Sequence, residues 1–260
     1  MRSPFQNVKH LVGDCAFAIL TLILHRDFEV DRPSPKYSGY SNSNPTCPPI
    51  AILRRKSYNR KKFTSKETCL MQHPILQDFP HEFYTERLLI RLPLPGDGRA
   101  LYQAIQASRL DLKKWLPFAQ GEQTFEETEI NVRKAHSEFL KRTDLRLHIF
   151  HRETGQFIGS TGLHRIDWQV PKFEIGYWID SRESGKGYMT EAVKGVTNFA
   201  FQKLKANRVE IRCDAKNHKS RAIPERLGFT LEGIHYHDSI AIDSNELRDT
   251  CIYAIVKAVI

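Results

Sequence analysis

The chain has 260 residues, an ordinary globular composition and a formal net charge of +9 at pH 7. That charge is uneven: residues 1–70 hold 12 Lys and Arg against 5 Asp and Glu, whereas residues 71–260 hold 27 against 25. The body of the protein therefore lacks the excess of positive charge that is typical of a nucleic-acid-binding domain. Only the basic N-terminal segment has the charge to bind RNA. The cysteines form no C-x-x-C pair, which argues against a zinc ribbon or redox motif, and no metal is expected.

The first 70 residues differ from the rest in composition. Cys15–Leu24 is apolar but too short to span a bilayer, and no small-residue cleavage site follows it. Residues 32–49 are rich in Pro, Ser and Asn, which is typical of disorder. Met71 directly precedes the region of regular patterns. We expect residues 1–70 to be a disordered leader or a misassigned gene start, and the protein to be cytoplasmic without a membrane segment.

The body of the chain predicts a succession of strands and helices. Glu86–Leu92 alternates as a strand, and Asp97 is placed to cap a helix over Gly98–Ser108. Thr124 begins a T-x-x-E capping box that opens a long helix to about residue 142. Further strands are predicted at 145–151, 157–166, 172–180, 208–213, 230–242 and 247–257, with a helix at 188–204. This order predicts an α/β (α+β) fold, a mostly antiparallel sheet flanked by helices.

The turn after the strand at 172–180 is rich in glycine. It carries Arg182, Gly185, Lys186 and Gly187 in an R-x-x-G-x-G pattern. The two glycines can adopt positive φ, and the helix start that follows offers free N–H groups and a positive dipole, so the turn suits a phosphate. A plain turn is the alternative, and the pattern is neither a G-x-G-x-x-G fingerprint nor a P-loop. Lys186 is either a phosphate contact or a solvated surface lysine.

Five blocks of sequence surround this turn in a fixed order: Thr85–Leu92, Phe157–Leu163, Glu174–Ile179, Gly185–Tyr188 and Asn217–Phe229. Together they resemble the GNAT superfamily of N-acetyltransferases, and more closely its RimJ/RimL-type branch. The resemblance covers about residues 83–258 and implies a GNAT-like domain over residues 80–260. It implies acetyl-CoA as co-substrate and direct attack of a primary amine, without an acyl-enzyme. The expected acceptor is the N-terminal α-amine of a protein, such as a ribosomal protein.

The resemblance also implies where the cofactor binds. The implied cofactor-binding residues are Tyr177, Trp178, Ile179, Arg182, Glu183, Ser184, Gly185, Lys186, Gly187, Tyr188, Met189, Thr190, Asn217 and Ser220. The pyrophosphate would lie on the loop, and the pantetheine arm would pair like an extra strand with 177–179. A backbone N–H of that strand would be the oxyanion donor. The same strand also fits a plain buried strand, which is compatible with this role.

Ser220 is the candidate general acid. The resemblance puts its hydroxyl near the cofactor sulfur, with Asn217 binding the pantetheine or the adjacent backbone. Asn217 and Ser220 also fit an N-cap pair, because both residue types cap helices well. Pro224 limits the helix that follows, which keeps Ser220 close to its N-terminal end.

Glu174 is the candidate general base. Strand alternation puts it on one face with Gly176 and Trp178, where a carboxylate could accept the amine proton directly or through water. A structural carboxylate beside the cofactor loop is the alternative. Asp238 is a second acidic candidate, because the RimJ/RimL-type branch often has an acidic residue after the Gly-Phe-x-x-Glu-Gly block.

Several alternatives remain open from the sequence alone. Trp115 and Trp168 either line the acceptor site or pack on the domain. Polyamines and aminoglycosides are also acceptors within the same branch. A non-catalytic acyl-CoA-binding module and an RNA-associated protein that binds through the basic N-terminal run are further alternatives. The sequence is also compatible with a homodimer.

Overall fold

The computed structural model describes residues 73–242 and 244–257. The expected leader, Met71 and the basic N-terminal run lie outside these residues, so the domain boundaries stay predictions. The helices are α1 Gly98–Leu112, α2 Phe125–Lys141, α3 Tyr188–Gln202 and α4 His218–Arg226. The strands are β1 Glu82–Tyr84, β2 Leu88–Arg91, β3 Leu145–His151, β4 Phe157–Asp167, β5 Lys172–Ile179, β6 Arg208–Asp214, β7 Thr230–Ile240 and β8 Leu247–Val256. None of the helices in these ranges is long and apolar enough to cross a membrane.

The eight strands form one sheet in the order β1-β2-β3-β4-β5-β6-β8-β7. Within the described ranges every neighbouring pair is antiparallel except β5 and β6. The predicted meander is present as β3, β4 and β5, in which Leu163 pairs with Leu145 on one side and Ile175 on the other. The predicted fold class is confirmed, although the patterns missed the short strand β1.

The N-terminal N–H groups of the helices are capped by nearby residues at α2 and by a residue of another helix at α1. At α2 the capping box forms, because the Thr124 hydroxyl and the carboxylate three residues later satisfy each other's backbone N–H groups. At α1 the predicted cap is wrong in detail. Asp97 occupies the N-cap position, but its carboxylate pairs with Arg91 at 2.7 Å and makes no cap hydrogen bond. Glu129 of α2 accepts from the Gly98 N–H instead.

Two apolar clusters lie on opposite faces of the sheet. The larger joins α3 to the sheet and includes Phe173 and Ile175 of β5. The smaller joins α1 and α2 to the other face, and Trp178 of β5 packs against it. Because neighbouring residues of a strand face opposite ways, Glu174 lies on the same face as Trp178, as predicted.

Strands β5 and β6 separate after a short paired segment. Their parallel pairing ends at Glu174 and Glu210, although β5 continues to Ile179 and β6 to Asp214. Strand β5 stays paired with β4 throughout. One edge of residues 175–179 therefore has no strand partner among the described residues, and its backbone N–H and C=O groups need partners from elsewhere. This opening between β5 and β6, the strand gap, positions the site.

Candidate active site

The loop between β5 and α3 is held in shape by its own charged side chains. Asp180 is fully buried, accepts from the Arg182 N–H and pairs with the Arg182 guanidinium at 2.5 Å. Glu183 is also buried and pairs with the Lys186 ammonium at 2.8 Å. Both loop cations already have carboxylate partners, so contact with a phosphate would fall mainly to the backbone.

The backbone of this loop has the geometry of an anion site. Gly185 and Gly187 have φ angles of 80° and 81°, which confirms the predicted left-handed conformation. Gly187 is the N-cap of α3 and offers no side-chain cap, and the first helical hydrogen bond runs from Glu191 N–H to Gly187. The N–H groups of residues 188–190 therefore have no acceptor within the helix. Together with the positive end of α3, they suit a pyrophosphate.

Two residues beside the loop were not predicted from the sequence, Arg87 and Glu191. Glu191 accepts hydrogen bonds from the Thr85 hydroxyl at 2.6 Å and from Arg87 Nε at 2.7 Å. Arg87 also donates to the Lys186 carbonyl at 3.1 Å, and its guanidinium lies 4.6 Å from the Tyr188 ring centroid. Arg87 is thus a third cation at the loop. The sequence gives no signal for it, because the β1–β2 turn and helix α3 meet only in the fold.

Replacing the N-cap glycine should weaken CoA binding more than removing a loop cation. Gly187→Val puts a β-branched side chain at a φ of 81°, which costs about 1–3 kcal/mol of backbone strain. Lys186→Ala removes a charge that Glu183 already pairs. We expect calorimetry to show the Kd for acetyl-CoA rising at least about tenfold in G187V and less than about fivefold in K186A. The reverse order would mean that side-chain charge, rather than the backbone, holds the phosphates.

Ser220 lies beside the strand gap, fixed by two neighbouring groups. Its hydroxyl donates to the Tyr177 phenol oxygen at 3.2 Å, and that phenol donates to the Ser220 carbonyl at 2.9 Å. The Cys213 thiol of β6 is also near the Ser220 side chain, which opposes the rise in the pKa of Cys213. Burial raises the pKa of Cys213 to about 12 and also raises the pKa of Tyr177, so both groups stay protonated at neutral pH. Neither neighbour therefore removes the hydroxyl proton of Ser220.

Helix α4 begins with the side-chain cap that the sequence suggested. Asn217 Oδ1 accepts from the Ser220 N–H at 3.1 Å. The cap uses the backbone of Ser220 and leaves its hydroxyl for the contact with Tyr177, so capping and a catalytic role are compatible. The helix is short, as predicted, with Pro224 inside it.

Glu174 is buried on the opposite face of β5, where the strand gap begins. It is 8% exposed, and its Oε2 lies 3.0 Å from Arg165 Nη1 without the geometry of a hydrogen bond. Burial raises the pKa of Glu174; the charges of Arg165 and Arg212 oppose that shift, and Glu210 adds to it. A buried carboxylate with a raised pKa and an acceptor oxygen not used in any hydrogen bond within the described ranges suits proton abstraction.

Arg165 reaches Glu174 because strand β4 is irregular at this point. Arg165 has a φ of 45°, and the β4–β5 register shifts between His164 and Asp167. Such a bulge lets two consecutive side chains face the same side of the sheet. Alternation along the sequence would have placed Arg165 on the face opposite His164, so the sequence did not predict this ion pair.

Removing the Arg165 charge should move the pH dependence of the reaction. Arg165→Asn is suitable because Asn tolerates the positive φ at this position. The substitution removes the nearest positive charge, which in the wild type opposes the rise that burial causes in the pKa of Glu174. We expect the acid limb of the kcat profile to shift to higher pH, since the pKa of Glu174 rises further. Arg165→Lys, which keeps the charge, should shift the limb less. An acid limb that stays in place or moves to lower pH in R165N would contradict this role for Arg165.

Asp238 is less suited than Glu174 to act as a base. It pairs with Arg212 at 3.1 Å. A hydrogen bond with Thr250, together with the nearby Arg212 charge, lowers the pKa of Asp238. A carboxylate with a lowered pKa is a weaker proton acceptor. Its link to the site is Arg212, whose charge lowers the pKa of both Glu174 and Asp238.

Some predicted contacts have side chains turned into the protein. Glu183 and Met189 are buried, which leaves only their backbone for contact with a cofactor. Trp168 lies in the β4–β5 turn and packs edge-on against Phe173, with ring centroids 5.3 Å apart. This packing supports the structural alternative for Trp168. Trp115 is half-buried and stays open to either role.

Comparisons of the sequence with known proteins give matches over most of the described part. The profile of the family described as "Acetyltransferase (GNAT) domain" matches residues 87–230. YdaF of Bacillus subtilis, a candidate ribosomal N-acetyltransferase, is 36% identical over 175 residues, which are 66% of this chain and 92% of YdaF. The ribosomal-protein-serine acetyltransferase of Escherichia coli is 28% identical over 149 residues, which are 57% of this chain and 82% of that enzyme.

A comparison with solved structures identifies acetyltransferases with a similar fold. RimL, a ribosomal L7/L12 α-N-protein acetyltransferase solved in complex with coenzyme A, matches with a TM-score of 0.62. The match covers 66% of this chain and 95% of RimL at 23% identity. At 23% identity the match shows that the two proteins share a fold.

Proposed function

The chain belongs to the GNAT acetyltransferase family, and we propose that its acceptor is the N-terminal α-amine of a protein, such as a ribosomal protein. As a member of that family it is an acetyl-CoA-dependent N-acetyltransferase. The acceptor and the roles of individual residues are the proposal. Two relatives support it, because the names of YdaF and of the Escherichia coli enzyme both refer to ribosomal acetylation.

The strand gap is the observation that carries the proposed binding mode of acetyl-CoA and the residue roles. Residues 175–179 present an edge without a strand partner in the described ranges, and the amide groups of a pantetheine arm can pair with such an edge. The loop at Gly185 and Gly187 lies beyond the end of the same strand, where it would hold the pyrophosphate. This arrangement would direct the thioester along β5, toward the point where the paired segment ends.

Glu174 and Ser220 flank the strand gap from opposite faces of β5. Glu174 removes a proton from the acceptor ammonium, and the neutral amine then attacks the thioester carbonyl. A backbone N–H of 177–179 stabilises the oxyanion as it forms. Ser220 donates its hydroxyl proton to the departing thiolate, held in place by Tyr177. No acyl-enzyme is needed in this sequence of steps.

The charges around Glu174 favour a peptide over a polyamine. Glu174 faces Arg165 and Arg212, and the carboxylates of Glu210 and Asp238 pair with arginines at 2.9 Å and 3.1 Å. Each of these carboxylates is paired with an arginine, so the site has no net negative charge to attract a polyamine, which would need an excess of carboxylates. An α-amine also has a pKa of about 7.7–8.0, against about 10.4 for a lysine-type amine, so a carboxylate base deprotonates it more readily.

An acceptor screen tests the proposed function. Purified protein is mixed with acetyl-CoA and, separately, with peptides matching ribosomal-protein N-termini, spermidine and an aminoglycoside, and thiol release is followed. We expect kcat/KM to be highest for one of the peptides, by at least about tenfold. Turnover of spermidine or the aminoglycoside with none of any peptide would overturn the acceptor class and leave the acetyltransferase assignment in place.

A further inference from the structure

We propose that Arg87 binds a phosphate group of acetyl-CoA through the Nη2 end of its guanidinium. The inference rests on the proposed position of the pyrophosphate at the loop of Gly185 and Gly187, and its test needs no acceptor. Arg87 lies in the turn between β1 and β2, and its guanidinium reaches the loop in the fold. It adds a charged side-chain donor to a site otherwise built from backbone N–H groups.

The guanidinium lies alongside the N-terminal end of α3. Its Nη1 donates to the Lys186 carbonyl at 3.1 Å, and a Cβ added to Gly187 would lie 3.5 Å from its Nη2. Gly187 is the N-cap of α3, so Nη2 adjoins the helix end whose first N–H groups have no acceptor within the helix. A phosphate bound at those N–H groups therefore lies on the side of the loop that Arg87 occupies.

The guanidinium uses only part of its donor capacity within the protein. Nε donates to Glu191 Oε2 at 2.7 Å, and Nη1 donates to the Lys186 carbonyl. Nη2 makes no hydrogen bond in the part of the chain that the structure describes, and the Arg87 side chain is 41% exposed. Because a guanidinium has five N–H donors in one plane, it can hold a carboxylate with one edge and donate to a phosphate with the other.

Neighbouring side chains fix the orientation of the guanidinium. It lies 4.6 Å from the centroid of the Tyr188 ring. Glu191, which holds Nε, is itself held by the Thr85 hydroxyl at 2.6 Å and by the Arg87 N–H at 2.8 Å. Burial would raise the pKa of Glu191, but these hydrogen bonds outweigh it and lower the pKa, so Glu191 is ionised at neutral pH. A side chain that is already oriented loses less conformational entropy when it binds a ligand.

The pairing with Glu191 gives Arg87 a second effect on phosphate binding. Glu191 lies in the first turn of α3, and its carboxylate would repel a phosphate at that helix end if it were unpaired. Arg87 cancels this charge while Nη2 donates to the phosphate. Removal of Arg87 therefore combines the loss of a donor with repulsion from Glu191, and the experiment must separate the two.

Calorimetry with ligands that differ in their phosphates tests the proposal. CoA carries a pyrophosphate and a 3′-phosphate, 3′-dephospho-CoA carries only the pyrophosphate, and pantetheine carries neither. We expect Arg87→Ala to raise the Kd for CoA at least about tenfold and to leave the Kd for pantetheine unchanged. A loss that persists with 3′-dephospho-CoA assigns the contact to the pyrophosphate, and a loss confined to CoA assigns it to the 3′-phosphate. An unchanged Kd for CoA, or an equal loss with pantetheine, would overturn the proposal.

Two variants separate the contact from other effects of charge. In R87A/E191Q both charges are absent, and we expect the Kd for CoA to stay at least about fivefold above that of the wild type. Full recovery would mean that repulsion from Glu191 explains the loss, and the contact would be refuted. Arg152→Ala is the matched control, because Arg152 donates its N–H to the Arg87 carbonyl at 2.8 Å but places its guanidinium 5.3 Å from the Tyr84 ring centroid. A loss in R152A as large as that in R87A would also overturn the proposal.

Two more variants cover the remaining outcomes. If R87A does not fold, Arg87→Lys decides, because lysine keeps the charge and lacks the planar fork. A higher Kd for CoA with an unchanged Kd for pantetheine in R87K would support the contact, and an unchanged Kd for both would refute it. Gly187→Val shows which step fails: weak binding in G187V with normal binding in R87A refutes Arg87 alone, whereas normal binding in both also removes the loop as the phosphate site.

Discussion

Replacing Glu174 by Gln should lower kcat by about 10²- to 10⁴-fold, the contribution typical of a general base. The amide keeps the size of the side chain and cannot accept a proton from the amine. Because burial raises the pKa of Glu174, the acid limb of the wild-type kcat profile should lie above the ordinary carboxylate value of 4.5. In E174Q that limb should disappear, since the group that must be deprotonated is gone.

The measurement is kcat against pH at saturating acetyl-CoA and peptide, because kcat/KM also reports the ionisation of the free amine. Glu210→Gln is the matched control: Glu210 is the register partner of Glu174 on β6, and it pairs with Arg208 at 2.9 Å. We expect E210Q to keep kcat within about tenfold and to move the acid limb slightly to lower pH, because Glu210 raises the pKa of Glu174. An E174Q enzyme with a normal kcat and an intact acid limb would remove Glu174 as the base.

Replacing Ser220 by Ala should lower kcat by about 10²-fold and leave the KM for acetyl-CoA nearly unchanged. The hydroxyl is the donor for the departing thiolate, whereas binding depends on the loop and the strand edge. The substitution leaves the start of α4 intact, because the cap hydrogen bond runs from the Ser220 N–H to Asn217 Oδ1.

The capping role can be separated from the acid role with a second variant. Asn217→Ala removes the cap and should lower the free energy of unfolding by about 1 kcal/mol, with a smaller effect on kcat than S220A. Steady-state kinetics and thermal unfolding on both variants give the comparison. If S220A lowers stability and spares kcat, Ser220 is a structural residue and the acid lies elsewhere.

The sequence predicted what depends on local pattern. Alternation placed Glu174 and Trp178 on one face of β5, and the structure confirms it through the packing of Trp178. The T-x-x-E pattern predicted the cap of α2, and the glycine spacing predicted positive φ at Gly185 and Gly187. Each of these is set by neighbours within a few residues, so one sequence is enough to find it.

The sequence could not predict contacts made between distant elements. Arg165 faces Glu174 only because of a bulge in β4, and bulges have no reliable pattern in one sequence. The partners of Glu191 in the β1–β2 turn and the cap of α1 by Glu129 both need the folded arrangement. The strand gap depends on where β5 and β6 diverge, and their pairing ends at Glu174 and Glu210 although both strands continue.

The most direct test of the account uses one peptide that carries two kinds of amine. The peptide has a free N-terminal α-amine and an internal lysine, and fragmentation mass spectrometry locates the acetyl group after reaction with acetyl-CoA. We predict acetylation of the α-nitrogen, with one free CoA thiol per acetyl group and loss of the product in E174Q. Acetylation of the lysine alone, or binding of acetyl-CoA with no acetylated peptide, would contradict it.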